Sequence, residues 1–243
     1  MTQTEPGKAG RRSSFKSLSP AKKAEHIWYY HKWKIIFGLI ALILIGTTVH
    51  QFLHRKEILL YLGMTNVTLS SELEETLTTG YLEDAGFDPD KTEFYIYHDL
   101  YLSEDAEGDA HRSAYASRIK LMASVEQQCF DAVFMSRQAY DILSAQGYLM
   151  DLEALLENDP DLKAELEPFL AENEVYLEDN AISYELNEAD SHEIISETVI
   201  NAVRLDELPF YRSAGFREPF YFGLIANTPR TQACLSYLEF LIR

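Results

Sequence analysis

Nineteen consecutive residues, 35–53, carry no charged side chain. As an α-helix rising 1.5 Å per residue they extend about 29 Å, close to the thickness of the hydrocarbon core of a bilayer. Residues 35–45, "IIFGLIALILI", are apolar all round, whereas a core helix keeps a polar stripe. A cleaved signal peptide wants a shorter apolar run and a small-x-small cleavage site. The following "TTVHQF" supplies none, and no cysteine stands there to take a lipid. The expectation is an uncleaved transmembrane helix over 35–53, held by membrane lipid.

Charge divides at that helix. Residues 1–34 hold eight Lys/Arg against Glu5 and Glu25, a net +6; the rest holds 13 Lys/Arg and 37 Asp/Glu, a net −24. Cations cluster on the cytoplasmic side of a span, so the expected protein is single-pass in the cell membrane with its N-terminus in the cytoplasm. Three regions follow: a basic cytoplasmic tail, 1–34, disordered for its Ser, Gly and Pro; the helix, 35–53; and an acidic extracytoplasmic domain, 54–243. Trp28, Tyr29, Tyr30 and Trp33 suit an aromatic belt at the interface. "RRSSFK" at 11–16 is faintly like a twin-arginine signal, but the apolar run starts too far downstream. The tail's cations can also touch anionic lipid, at about 1 kcal/mol each. A polyanionic outer domain repels nucleic acid, which excludes that class of partner.

In the outer domain, residues 58–64, 94–97, 130–135 and 220–226 are short, continuously apolar runs. Continuous hydrophobicity predicts strands buried on both faces, as in a parallel sheet covered by helices. Helical patterns alternate with them. Ser71 and Glu74 make a capping box before Leu73, Leu77 and Tyr81, and Gly86 stops that run. Tyr115, Ile119, Met122 and Ala123 form a second stripe; Ala139, Ile142 and Leu143 form a third, closed by Gly147. Thr228 can cap a last helix, with Pro229 in its first turn and Ala233, Tyr237 and Leu241 on one face. Residues 103–111 read as an acidic loop, 157–180 as a charged surface helix and connector, and 199–209 as a further strand and turn. The predicted class is α/β with a mostly parallel sheet.

Three segments together carry a family likeness: "EILLYLG" with "SSELEETLTTGYLEDAGFDPDKTEFYIY", then "FDAVFMSRQAYDILSAQGYLMDL", then "YFGLIANTPRTQACLSYLEFLI". They resemble the first strand–helix–strand, a strand–helix–turn unit and the closing strand and helix of bacterial extracellular solute-binding proteins, the clamshell receptors of ABC importers. The resemblance implies a periplasmic-binding-protein-like lobe. It also implies a polar cleft residue at Ser136, after the Asp–Val type of strand. The chain departs from the family in two ways. Residues 157–219 are too few for a full second lobe, so that lobe is expected to be reduced or missing, and a membrane helix replaces the soluble or lipid-linked form.

Ligands of open parallel sheets sit beyond the carboxyl ends of the strands. That rule marks a lip of Thr65 and Asn66 after the first strand, His98 and Asp99 after the second, and Ser136 and Arg137 after the third. Arg137 could pair with an anionic ligand or with Asp99; the plainer alternative is a helix cap beside a solvated arginine. His98–Asp99 is weak as a metal or acid–base pair. His192–Glu193 lacks the second histidine of a zinc protease helix, and "DPDKTE" at 88–93 reads as a connector. Asn66-Val-Thr68 is a glycosylation acceptor only in a eukaryotic secretory route. No nucleophile elbow, phosphate loop, dinucleotide fingerprint or CxxC occurs. The expected function is therefore non-enzymatic, without cofactor or metal. Two readings stand: a membrane-anchored binding module for a small solute or peptide, and an assembly or accessory protein that binds another membrane or envelope protein. The aromatics of "LPFYRSAGFREPFYF" at 208–222 suit either core packing or a partner surface. Cys129 and Cys234 are expected as free, buried thiols.

Overall fold

The computed structural model describes residues 20–53, 56–186, 191–206, 208, 211 and 218–243. Its chain divides into two units, Met1–Arg55 and Lys56–Arg243. The first holds one helix, α1 (Pro20–Leu53). Within it His31–Val49 is long and apolar enough to cross a membrane or to serve as a signal sequence, and none of that stretch is buried. The hydroxyls of Thr47 and Thr48 donate to the Leu44 carbonyl, so the helix satisfies its own polar side chains there. The tail through residue 19 lies outside the described residues.

The second unit is α/β, as expected. Strands β1 (Glu57–Thr65), β2 (Thr92–Leu100), β3 (Ala132–Ser136), β4 (Leu170–Asp179), β5 (Ile194–Arg204) and β6 (Phe220–Leu224) make one sheet in the order β2-β1-β3-β6-β5-β4. The helices are α2 (Ser71–Glu75), running through a π turn (Thr76–Gly80) into α3 (Tyr81–Asp84), then α4 (Gly108–Glu126), α5 (Arg137–Ala145), α6 (Leu152–Leu156), α7 (Pro160–Leu166), α8 (Ala181–Glu185) and α9 (Thr231–Ile242).

The sheet is mixed, not mostly parallel. β1 runs parallel to β2 and β3, while β3–β6, β6–β5 and β5–β4 are antiparallel. A continuous apolar run reports burial on both faces; it carries no information about the direction of the neighbouring strand. Two further corrections come from residues 157–219. Much of the expected charged helix at 157–180 is β4, and β4 and β5 join the existing sheet instead of starting a second one.

Alternation sorts the core into two layers. Leu60, Leu62 and Met64 of β1, Phe134 of β3 and Phe222 of β6 meet Tyr81, Leu156, Leu166 and Tyr237 from α3, α6, α7 and α9. Val133 and Met135 of β3 and Tyr221 of β6 meet Leu121 of α4 and Tyr140 and Leu143 of α5 on the other side. Helix ends differ in detail from the expected ones. The cap of α2 is Ser70, whose Oγ accepts from the Leu73 amide, not Ser71. The last helix begins at Thr231 instead of directly after Thr228, because Thr228 is taken up by a buried carboxylate described below. Helix α5 ends as predicted, with Gly147 at φ 70, a conformation glycine adopts without steric cost.

Helix α4 inverts its expected face. Ala114, Ser117, Leu121 and Ser124 pack inward, while Tyr115, Ile119, Met122 and Ala123 face outward. Small side chains let the helix lie close to the sheet, and spacing alone could not tell which stripe would be chosen.

Both cysteines are free, but only Cys234 is buried; Cys129 is half-buried. Burial, helped by the nearby Asp131 carboxylate, pushes the Cys234 thiol up to about 12. In the unfolded chain the thiol ionises near pH 8.5, whereas the folded chain keeps its proton, so folding stability is full below that pH. It then falls as pH rises toward 12, by up to about 1.4 kcal/mol per unit. Thermal unfolding of Cys234→Ala should therefore lose less between pH 9 and 11 than the wild type does. An unchanged slope would refute the buried thiol as a source of alkaline sensitivity.

Candidate functional site

The carboxyl ends of β1, β2 and β3 lie along one edge of the sheet, as parallel pairing requires. Because β6 is antiparallel to β3, with Phe220 opposite Ser136, the segment entering β6 brings Glu218 to the same edge. There an open recess of about 670 Å³ is lined by Asn66, Tyr101, Ser136, Arg137, Gln138, Asp141 and Glu218. Three of the six expected lip residues line it and three do not.

Asn66 lines the recess, but its amide clamps the chain. Nδ2 donates to the Leu102 carbonyl at 2.6 Å and Oδ1 accepts from the Leu102 amide at 2.9 Å. This closed pair lets Asn66 hold a left-handed φ of 56, which asparagine tolerates better than most residues. It also commits the side chain that a glycosylation acceptor would need. Ser136 ends β3 and caps α5, its Oγ accepting from the Ala139 amide at 3.3 Å. Arg137 follows as the first helical residue. Its partner is Asp141, not Asp99: Nε donates to Oδ2 at 3.2 Å and the guanidinium reaches Oδ1 at 2.9 Å. The Asp141 carboxylate also accepts from Asn173 Nδ2 at 2.8 Å. The guanidinium stacks over the Tyr140 and Tyr221 rings. Contact with the Tyr221 side chain, then with Asp141, holds the Arg137 pKa above its ordinary value.

The other three residues leave the lip. Thr65 is fully buried between Leu100 and Met135 in the ladder, and its hydroxyl has no partner among the described residues. His98 lies on β2 near α2, with Nδ1 3.7 Å from Glu74 Oε2. Asp99 occupies a bulge. From Gly63↔Tyr97 to Thr65↔Leu100, β2 advances three residues for two of β1, and Asp99 takes up the excess at φ 57. One extra residue rotates His98 and Asp99 out of register with the lip, and no pattern in the sequence announced it.

Tyr101, Gln138, Asp141 and Glu218 were not anticipated. Only Asp141 carried a signal, its i,i+4 spacing from Arg137. Among the described residues no three His, Cys, Asp or Glu side chains converge as a metal site would require. Helix α5 is tied down beneath the recess. Tyr140 Oη donates to Asn201 Oδ1 at 2.8 Å, Asn201 Nδ2 donates to Ser144 Oγ at 2.8 Å, and Ser144 Oγ donates to the Glu174 carbonyl at 2.8 Å. This buried chain joins the corner to the β4–β5 hairpin. Burial pushes the Tyr140 hydroxyl far above the usual tyrosine range.

A corner built this way predicts modest effects. Ser136→Ala should cost about 1 kcal/mol, as lost N-caps do, and Arg137→Ala about 0.5 kcal/mol, since its ion pair is half exposed. Denaturant midpoints at constant slope would show it; a loss above about 3 kcal/mol for either would make the corner a structural keystone instead.

Comparisons with models of known families, with curated proteins and with solved structures found no match.

Proposed function

We propose that this chain is a single-pass membrane protein whose acidic domain lies outside the cytoplasm and acts as a non-enzymatic interaction module, a one-lobed form of the solute-receptor architecture. The observation that carries the reading is the state of the recess. Its wall polar groups already answer one another, Arg137 with Asp141, Asn66 with Leu102 and Ser136 with Ala139. One sheet faces it and the described residues contribute no second. Tight small-molecule sites bury 70–90% of the ligand. An open lip leaves its polar contacts solvated, at about 1 kcal/mol each. Affinity for a single sugar or amino acid should be weaker than about 0.1 mM, or ~5.5 kcal/mol. A protein surface covers more area and does not need enclosure.

Calorimetry of the full chain in detergent against sugars, amino acids, peptides and metal ions tests this. Micromolar binding of a small solute, lost with Ser136→Ala and Arg137→Ala together, would restore the receptor reading. Topology has its own test. Single cysteines placed beyond residue 60, in a chain otherwise free of cysteine, should react with an impermeant thiol reagent on intact cells. Protection of all of them would place the domain inside.

A further inference from the structure

Two exposed surfaces of the domain are complementary. The first is the outward stripe of α4: Tyr115, Ile119 and Met122 are 62%, 49% and 51% exposed, at the i, i+4, i+7 spacing that normally marks a buried face. At 100° per residue, Arg112 and Arg118 flank that stripe on either side.

The second is the outer half of the β4–β5 hairpin. Every residue of 176–179 and 194–198 is exposed, so this part of the ribbon reaches past the helices that cover the rest of the sheet. It carries Tyr176, Leu177, Ile194 and Ile195. Residues 170–203 contain no lysine or arginine. Glu174, Glu178, Asp179, Glu193 and Glu197 give this arm a strong negative charge. Among the described residues β5 bonds to β6 only at Val203 and Arg204, which leaves its edge along 194–201 unpaired. Sheet edges that must stay free usually carry a lysine, a proline or a bulge. This one carries isoleucines.

Position decides how the two surfaces can meet. Helix α4 packs against β2 at one end of the strand order, and the arm belongs to β4 and β5 at the other. Four strand spacings, about 19 Å, separate β2 from β5, so an arm cannot lie on its own α4. We propose that copies of this chain associate head to tail, the acidic apolar arm of one docking on the arginine-flanked apolar face of α4 in the next. The inference rests on the reading of the domain as an interaction module, and it names the partner as a second copy. A contact between two different patches builds rows or closes rings, not isolated pairs. Each contact is small, and confinement of anchored copies to one membrane raises their effective concentration.

Sedimentation of the full chain in detergent, over a concentration series and with two distinguishable tags, tests it. The wild type should form dimers and larger species. Ile119→Asp blocks one patch and Leu177→Asp the other; both positions are exposed and outside the recess, and circular dichroism verifies folding. Each variant alone should be monomeric, while an equal mixture should form one-to-one heterodimers and nothing larger, since each pair retains one intact arm and one intact α4 face. Reversal of Arg112 and Arg118 to glutamate should weaken association at least tenfold. A monomeric wild type overturns the proposal even if the arm then binds a basic peptide, and so does a variant that associates like the wild type or a mixture that stays monomeric. These failures leave the interaction reading standing, because that reading falls only to tight solute binding in the calorimetric test.

Discussion

Replacing Asp131 with alanine should destabilise the outer domain by about 3 kcal/mol, among the largest losses from any single polar residue in it. Asp131 is fully buried at the start of β3 and collects three partners. Its Oδ2 accepts from the Tyr61 amide at 2.8 Å, and its Oδ1 accepts from Thr228 Oγ1 at 2.5 Å and from Arg230 Nη1 at 3.1 Å. Arg230 also donates to the Gln128 carbonyl and lies 4.8 Å from the centre of the Tyr61 ring. One carboxylate thus joins β1, β3 and the turn before α9. Alanine would strand the Tyr61 amide and the Thr228 hydroxyl in the core. Arg230 is partly exposed and would recover water, which keeps the loss toward the lower end of the range for broken buried pairs. For a unit of this size the melting temperature should drop by about 6–12 °C. Asp131→Asn keeps an acceptor and should lose less. A drop under 2 °C for the alanine variant would show that water replaces the carboxylate without penalty.

Gly63→Ala should cost about 2–3 kcal/mol through overpacking. Gly63 lies mid-strand in β1, and a Cβ there would stand 2.2 Å from Cζ and 2.8 Å from Cε2 of Phe130. The Phe130 ring is fully buried and packs on Tyr97, with centroids 5.3 Å apart, so it has little room to swing away. In a Phe130→Leu background the added methyl meets a shorter side chain. The cost of Gly63→Ala should then shrink by at least about 1 kcal/mol, the coupling expected of residues in contact. Denaturant midpoints of the four proteins in that cycle measure it, and additive effects would mean that the backbone, not the ring, gives way.

Much of this architecture was legible because local chemistry determined it. The apolar helix follows from nineteen uncharged residues, and β1, β2, β3 and β6 follow from runs that only a doubly covered strand makes comfortable. Gly147 ends α5 because few other residues adopt its φ. The cap at Ser136 and the Arg137–Asp141 pair lie within one turn of each other, where spacing alone settles contact.

What the tertiary structure decided is everything that depends on distant neighbours. Strand direction at β6 is set by its partners, and it brought Glu218 to the lip. A single extra residue in β2 carried His98 and Asp99 away from it, and the close fit of β1 beside Leu100 and Met135 buried Thr65. The acidic segment after α7 became β4 because β5 was there to pair with it, although its charges suited a solvated helix equally well. On α4 the choice of face fell to close approach: small side chains against the sheet allowed tighter packing, and the larger apolar ones were left outward. Spacing along a chain states which residues share a face; only the packed neighbours determine which face is covered.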